Sequence, residues 1–195
     1  MDQKKFLTSY LNDFSDLVEP DIGTVKKLVH VANLIKTVHS KGNKTLIFGN
    51  GGSAAIASHF SIDLTKNAGV RCHNFNEADL ITCFANDYGY ERWVEKTIDF
   101  YGDPEDLLIL ISSSGRSKNM LNGAKAARNG NFKAVVTFSG FSKDNPLRKL
   151  GDINLWVNSR AYNFVENIHQ IWLLAIVDLN IGKKEYSADP SEIKK

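Results

Sequence analysis

Four short apolar runs, set between stretches of helical period, constrain this chain more than any other feature. Residues 45–48, 107–111 and 134–138 are rich in Val, Ile, Leu and Phe, and residues 153–157 alternate apolar with polar. A run that is apolar throughout suits a strand buried on both faces, and alternation suits a sheet edge. Helical patterns occupy 53–66, 90–101, 117–129 and 162–181. Strand, helix, strand, helix predicts an α/β fold, a doubly wound, flavodoxin-like parallel sheet with helices on both faces. Two further helices precede it. Phe6, Tyr10, Leu11, Phe14 and Leu17 fall at helical spacing and end at Glu19-Pro20, and a second run from Ile22 to Val38 closes at Lys41-Gly42-Asn43. This pair is more apolar than a surface appendage requires, so it is expected to pack on the core and on a second subunit. The reading is one domain over 1–195, made of a helical pair (1–42), an α/β core (43–182) and a lysine-rich, solvated tail (183–195) with Pro190.

Composition removes several functions. With 24 Lys and Arg against 22 Asp and Glu, the net charge is +2, without a long basic run. That disfavours a nucleic-acid partner. The longest apolar stretch, 171–177, is too short to cross a membrane, and the start, Met1-Asp2-Gln3-Lys4-Lys5, lacks a signal-peptide core. The cytoplasm is the expected location. Two cysteines, Cys72 and Cys83, cannot form a disulfide framework or a Cys-rich zinc site.

In such sheets ligands bind beyond the carboxyl ends of the strands. Two polar loops stand there. Gly49-Asn50-Gly51-Gly52-Ser53 follows the first strand, with glycines for a sharp turn and Ser53 as the expected N-cap. Ser112-Ser113-Ser114-Gly115-Arg116-Ser117 brings four hydroxyls and an arginine to another helix start. Hydroxyls and free helix amides can wrap a phosphate without a metal. Neither a Walker nor a dinucleotide glycine pattern occurs. The last helix adds Glu166, His169 and Gln170 at one-face spacing, ahead of residues 171–177, which are apolar on every side and expected to be buried.

The two loops, with His59-Phe60 and Asp63-Leu64-Thr65 behind the first and Asn86-Asp87-Tyr88-Gly89-Tyr90 between them, resemble the motifs of sugar-isomerase (SIS) domains, in particular the sedoheptulose-7-phosphate isomerase branch. The resemblance covers roughly residues 5–182 and implies an aldose–ketose isomerisation of a seven-carbon sugar phosphate, toward D-glycero-D-manno-heptose 7-phosphate, by a homotetramer. It implies substrate contacts from Asn50, Gly51, Gly52, Ser53, Asn86, Asp87, Ser112, Ser113, Ser114 and Ser117. It points to His59 and Asp63 as catalytic, joined by Glu166, whose place on the last helix is read as facing the sugar, and it makes zinc the cofactor to consider, with His59, Asp63 and Glu166 as ligands of acceptable type.

The pattern departs from the family at the reacting end. The family's first-helix glutamate falls on Asp63, its last-helix glutamine on Glu166 and its catalytic histidine on Leu174. An arginine and an aspartate of the pattern fall on Asn67 and Asn163. Three readings follow: an isomerase with Glu166 as base while His59 and Asp63 polarise the sugar, an isomerase of another sugar phosphate, or a non-catalytic sugar-phosphate-binding regulatory or assembly protein.

Overall fold

The computed structural model describes residues 1–19 and 21–186. Pro20, the expected helix stop, and the tail from 187 onward, Pro190 included, lie outside the described residues. Five parallel strands, β1 (Thr45–Phe48), β2 (Cys72–His73), β3 (Leu107–Ser112), β4 (Ala134–Ser139) and β5 (Ile153–Trp156), pair in the order β2-β1-β3-β4-β5. The alternating strand β5 is an edge, as its pattern predicts. The chain runs outward in both directions from the β1–β3 pair, so the loops after those two strands emerge side by side.

Strand periodicity sorts the core into two layers. Ile47, Leu107, Ile109, Ile111, Val136 and Phe138 point to one face. Leu46, Phe48, Leu108, Leu110 and Val135 point to the other. The first face is covered by α2 (Ile22–Ser40), α3 (Gly52–Lys66) and α7 (Tyr162–Ile181), and the second by α5 (Trp93–Tyr101) and α6 (Lys118–Asn129). Burying both faces explains why the central strands carry no polar alternation. At the amino ends, fully buried Asp106 ties β1 to β3. Its carboxylate accepts from the Lys44 amide at 2.9 Å and pairs with Lys44 Nζ at 2.6 Å.

Helix α1 (Gln3–Val18) buries no residue; Tyr10 and Phe14 stand edge-on to Phe164, and Phe14, Leu17 and Val18 pack against Val157, Val165 and Ile168. Helix α2 does enter the core, through Val31, Ala32, Ile35 and Val38. The stretch 90–101, read as one helix, is a 3-10 turn (Tyr90–Arg92) followed by α5. A further helix, α4 (Ala78–Tyr88), precedes it, packing through Leu80, Ile81 and Phe84. The expected all-round burial of 171–177 is corrected. Leu173, Ile176 and Val177 are buried, but Ile171 is 41% exposed, because α7 covers the sheet with one face only.

His169 is also turned inward rather than grouped with Glu166 and Gln170. It is fully buried, and its Nε2 donates to the Ser139 carbonyl at 3.2 Å, which fixes the tautomer and leaves Nδ1 without a partner. Burial penalises the imidazolium and pushes the pKa down to about 4, with the Ser139 bond opposing. The folded state therefore binds this proton less readily than the unfolded chain, whose histidine titrates near 6.5. The neutral ring favours the fold fully above pH 6.5, and the advantage is lost as pH falls toward 4, for roughly 3 kcal/mol in all. Urea midpoints measured between pH 7.5 and 4 are expected to fall more steeply for the wild type than for His169→Leu. Equal slopes would contradict the assignment.

Candidate active site

At the carboxyl end of β1 the backbone makes a tight turn, with Gly51 at φ +56° serving as the N-cap of α3. Ser53 is therefore not the cap, as the sequence suggests, but the second residue of the helix, buried, with its amide bonded to the Asn50 carbonyl at 3.0 Å. No side chain caps the start of α3. Glycine at 52 leaves room for Glu166 where it lies: a Cβ there would meet the carboxylate, 2.8 Å from its Cδ, and displace it.

The loop after β3 is built by its neighbours. Gly115 lies at φ +63°, and an added Cβ would stand 2.8 Å from the Cβ of Asn145. Asn145 is fully buried, donating to Ser139 Oγ and the Ser142 carbonyl and accepting from the Arg148 amide. It is a supporting residue that motif reading missed, although Asn145-Pro146 marks a turn in the sequence. Ser117 occupies the N-cap position of α6 but does not bond the helix amides. Its hydroxyl instead accepts from Ser112 Oγ at 3.1 Å. The Ser113 hydroxyl is buried without a partner, and Ser114 Oγ accepts from the Arg116 amide. The uncapped amides of α6 and the hydroxyls of Ser112, Ser114 and Ser117 are groups of the kind that can hold an anion.

The two loops are joined directly. Asn50 Nδ2 donates to Asn119 Oδ1 at 3.1 Å, and Asn119 Nδ2 donates back to Asn50 Oδ1 at 2.8 Å. Asn119, buried at the second position of α6, was not among the expected site residues. Asn86 and Asp87 are not drawn into this junction. They sit exposed on the last turn of α4, with Asn86 donating to Asp87 and Cys83 facing the other carboxylate oxygen.

Behind Gly52, α3 and α7 enclose a cleft of about 360 Å³ lined by Gly52, Ala55, Ile56, His59, Glu166, Asn167 and Gln170. Glu166 is half-buried there, and desolvation raises its pKa above the ordinary glutamate value. Across the cleft, His59 and Asp63 lie one helical turn apart, with His59 Nε2 3.2 Å from Asp63 Oδ2. The ring's Nδ1 faces Gln170 Nε2 at 3.3 Å, and Asn67 donates to Asp63 Oδ1 at 3.3 Å. The imidazole is thus held between a carboxylate and an amide. This engagement bears on zinc. Both ring nitrogens of His59 have protein partners, and among the described residues no three His, Cys, Asp or Glu side chains converge to hold an ion. The trio His59, Asp63 and Glu166 of one chain therefore does not fit the expected metal site. Leu174 lies partly buried on α7.

A family model described as SIS domain matches residues 9–139. Phosphoheptose isomerase of Helicobacter pylori strain P12 is 34% identical over 161 residues, covering 79% of this chain and 81% of that protein. That of Fusobacterium nucleatum is 31% identical over 159 residues, covering 78% and 80%. Among solved structures, a phosphoheptose isomerase from Francisella tularensis superimposes with a TM-score of 0.84 at 24% identity, covering 94% of this chain and all of that one. One from Neisseria gonorrhoeae gives 0.82 at 25%, covering 91% and 97%.

The packing of Glu166 against Gly52 is testable without any assay of turnover. In a carbon-13 NMR titration the Glu166 carboxyl is expected to titrate above the ordinary 4.5, and to return toward it in Gly52→Ala, where the new methyl displaces it. An ordinary value in the wild type would contradict the burial.

Proposed function

The chain belongs to the SIS domain family, and on that premise we propose that it is a ketose–aldose isomerase converting sedoheptulose 7-phosphate to D-glycero-D-manno-heptose 7-phosphate. The observation that carries this reading is a half-buried carboxylate, Glu166, facing the cleft that opens from the same glycine loop that meets the anion cradle. The relatives named phosphoheptose isomerase support the substrate class.

In this reading Ser112, Ser114 and Ser117, with the open amides of α6, hold the phosphate. The carbon chain runs along α3 toward His59 and Asp63, which lie ~9 and ~15 Å along the helix axis from Ser53, at ~1.5 Å per residue. Glu166 removes a proton from C1 of the ketose. The C1–C2 double bond forms as the electrons of the carbonyl move onto the C2 oxygen. As the sugar enters, its C1 hydroxyl takes the place of Gln170 on His59 Nδ1, and His59, oriented by Asp63, carries that proton from the C1 oxygen to the C2 oxygen while Gln170 donates a hydrogen bond to the enediolate. Glu166 then returns a proton to C2 as C1 becomes the aldehyde. A base needs affinity for the proton it takes, and burial, which raises the Glu166 pKa, increases that affinity.

The cytoplasm is the proposed setting, and no described helix is long and apolar enough to cross a membrane. A homotetramer is supported by apolar residues left exposed on one chain, among them Phe6, Leu11, Ile22, Ile62, Ile171 and Leu179. The position of Leu174 favours a second reading, a protein that binds sugar phosphate without turning it over, because leucine cannot carry a proton.

An NMR time course with sedoheptulose 7-phosphate tests the proposal. The wild type is expected to yield an aldoheptose phosphate. Glu166→Gln is expected to lose turnover ~1000-fold and Asp63→Asn ~10- to 100-fold, with inorganic phosphate still raising Tm in both, the scale expected for a lost proton-transfer group. Unchanged sugar together with a raised Tm would overturn this substrate and leave a binding-only protein or an isomerase of another sugar phosphate, which a panel of pentose and hexose phosphates separates. A normal rate in Glu166→Gln would overturn its role.

A further inference from the structure

One contact ties the third motif to the site. The Tyr90 hydroxyl, from the 3-10 turn after α4, donates to Asn50 Oδ1 at 3.0 Å. That oxygen also accepts from Asn119 Nδ2, while Asn50 Nδ2 donates to Asn119 Oδ1. Both lone pairs of the Asn50 oxygen are thus filled, and only one N–H of its amide is free to meet a ligand. Asn50 precedes Gly51 and Gly52, whose backbone sets the start of α3, so fixing its side chain fixes the glycine turn between cradle and cleft.

The turn bearing Tyr90 is itself anchored to α6. Asn122 Nδ2 donates to the Glu91 carbonyl at 2.9 Å, and the Arg92 amide bonds back to the Gly89 carbonyl at 2.9 Å. Gly89, at φ +88°, lets the chain reverse between α4 and this turn. Tyr90 remains 53% exposed, so its burial contributes little to the core, and its hydroxyl bond ties it to the glycine loop.

We infer that Tyr90 is a positioning residue for the sugar-phosphate site: its hydroxyl holds Asn50, and through it the glycine turn, in the ligand-binding arrangement. The inference rests on the isomerase reading but concerns a residue that reading does not use. It assigns the Asn-Asp-Tyr-Gly-Tyr segment a part through its last tyrosine, with Asn86 and Asp87 bonded locally.

The test is steady-state kinetics of the full-length chain with sedoheptulose 7-phosphate for the wild type, Tyr90→Phe and the distant control Tyr101→Phe, with Tm measured for each. Tyr90→Phe is expected to raise KM 5- to 10-fold, keep kcat within twofold and leave Tm unchanged, while Tyr101→Phe behaves as wild type. A purely structural tyrosine would lower Tm without a selective rise in KM, and that result would overturn the assignment. So would an unchanged KM, or a loss confined to kcat. If the wild type binds without turnover, the Kd for the same sugar replaces KM and the same criteria apply. A wild type that neither binds nor converts the sugar defeats the isomerase reading itself, and this inference with it, and is recognised by the wild-type arm alone.

Discussion

The reciprocal amide pair between Asn50 and Asn119 is the contact on which the site depends. It exists because β1 and β3 are neighbours in a sheet that winds outward from them in both directions. That topology sends α3 to one face and α6 to the other, so the two loops part immediately after their strands. Two amides at 2.8 and 3.1 Å close the gap. In a partly buried setting each bond is worth about 1 kcal/mol net, and leaving either group unpaired costs more. The pair therefore defines the geometry of both loops more than it stabilises the fold.

Around this junction the two ends of the site differ in character. The anion end uses backbone and hydroxyls, and its shape is set by residues that forbid alternatives: Gly115 against Asn145, Gly51 at positive φ, Ser117 bonded to Ser112 instead of capping its helix. The cleft end uses side chains on two packed helices. There Gly52 makes room for Glu166, and His59 is held from both sides by Asp63 and Gln170. Among the described residues Glu166 has no cationic partner, and it lies beside an imidazole held by a carboxylate and an amide, which suits the proton transfer proposed for it.

Much of this was legible in the residues. The strand runs at 45–48, 107–111 and 134–138 announced a doubly buried parallel sheet, and the glycine and serine loops fell at its carboxyl ends. The supporting polar network was not legible. Asn119, Asn145 and Asp106 are ordinary polar residues in sequence, and their roles depend on partners 6 to 69 residues away. His169 shows the complementary error. Its spacing grouped it with Glu166 and Gln170, but Glu166 and Gln170 lie on the cleft side of α7 while His169 turns to the sheet and Ser139. Helical spacing says which residues share a face approximately, and a rotation of about 60 to 100° around the axis decides between ligand and core. Ser53 was misplaced by similar logic, since glycine at φ +56° replaced the expected side-chain cap.

The central claim is that a cradle of the SIS type now serves a reacting end organised by Glu166, open enough for its proton to exchange with water. The most direct measurement is incubation of the wild-type chain with sedoheptulose 7-phosphate in heavy water, followed by NMR of the recovered sugars. The account predicts an aldoheptose phosphate carrying deuterium at C2, with exchange at C1 of the remaining ketose. Recovery of the ketose alone, with every C1 proton retained, would contradict it.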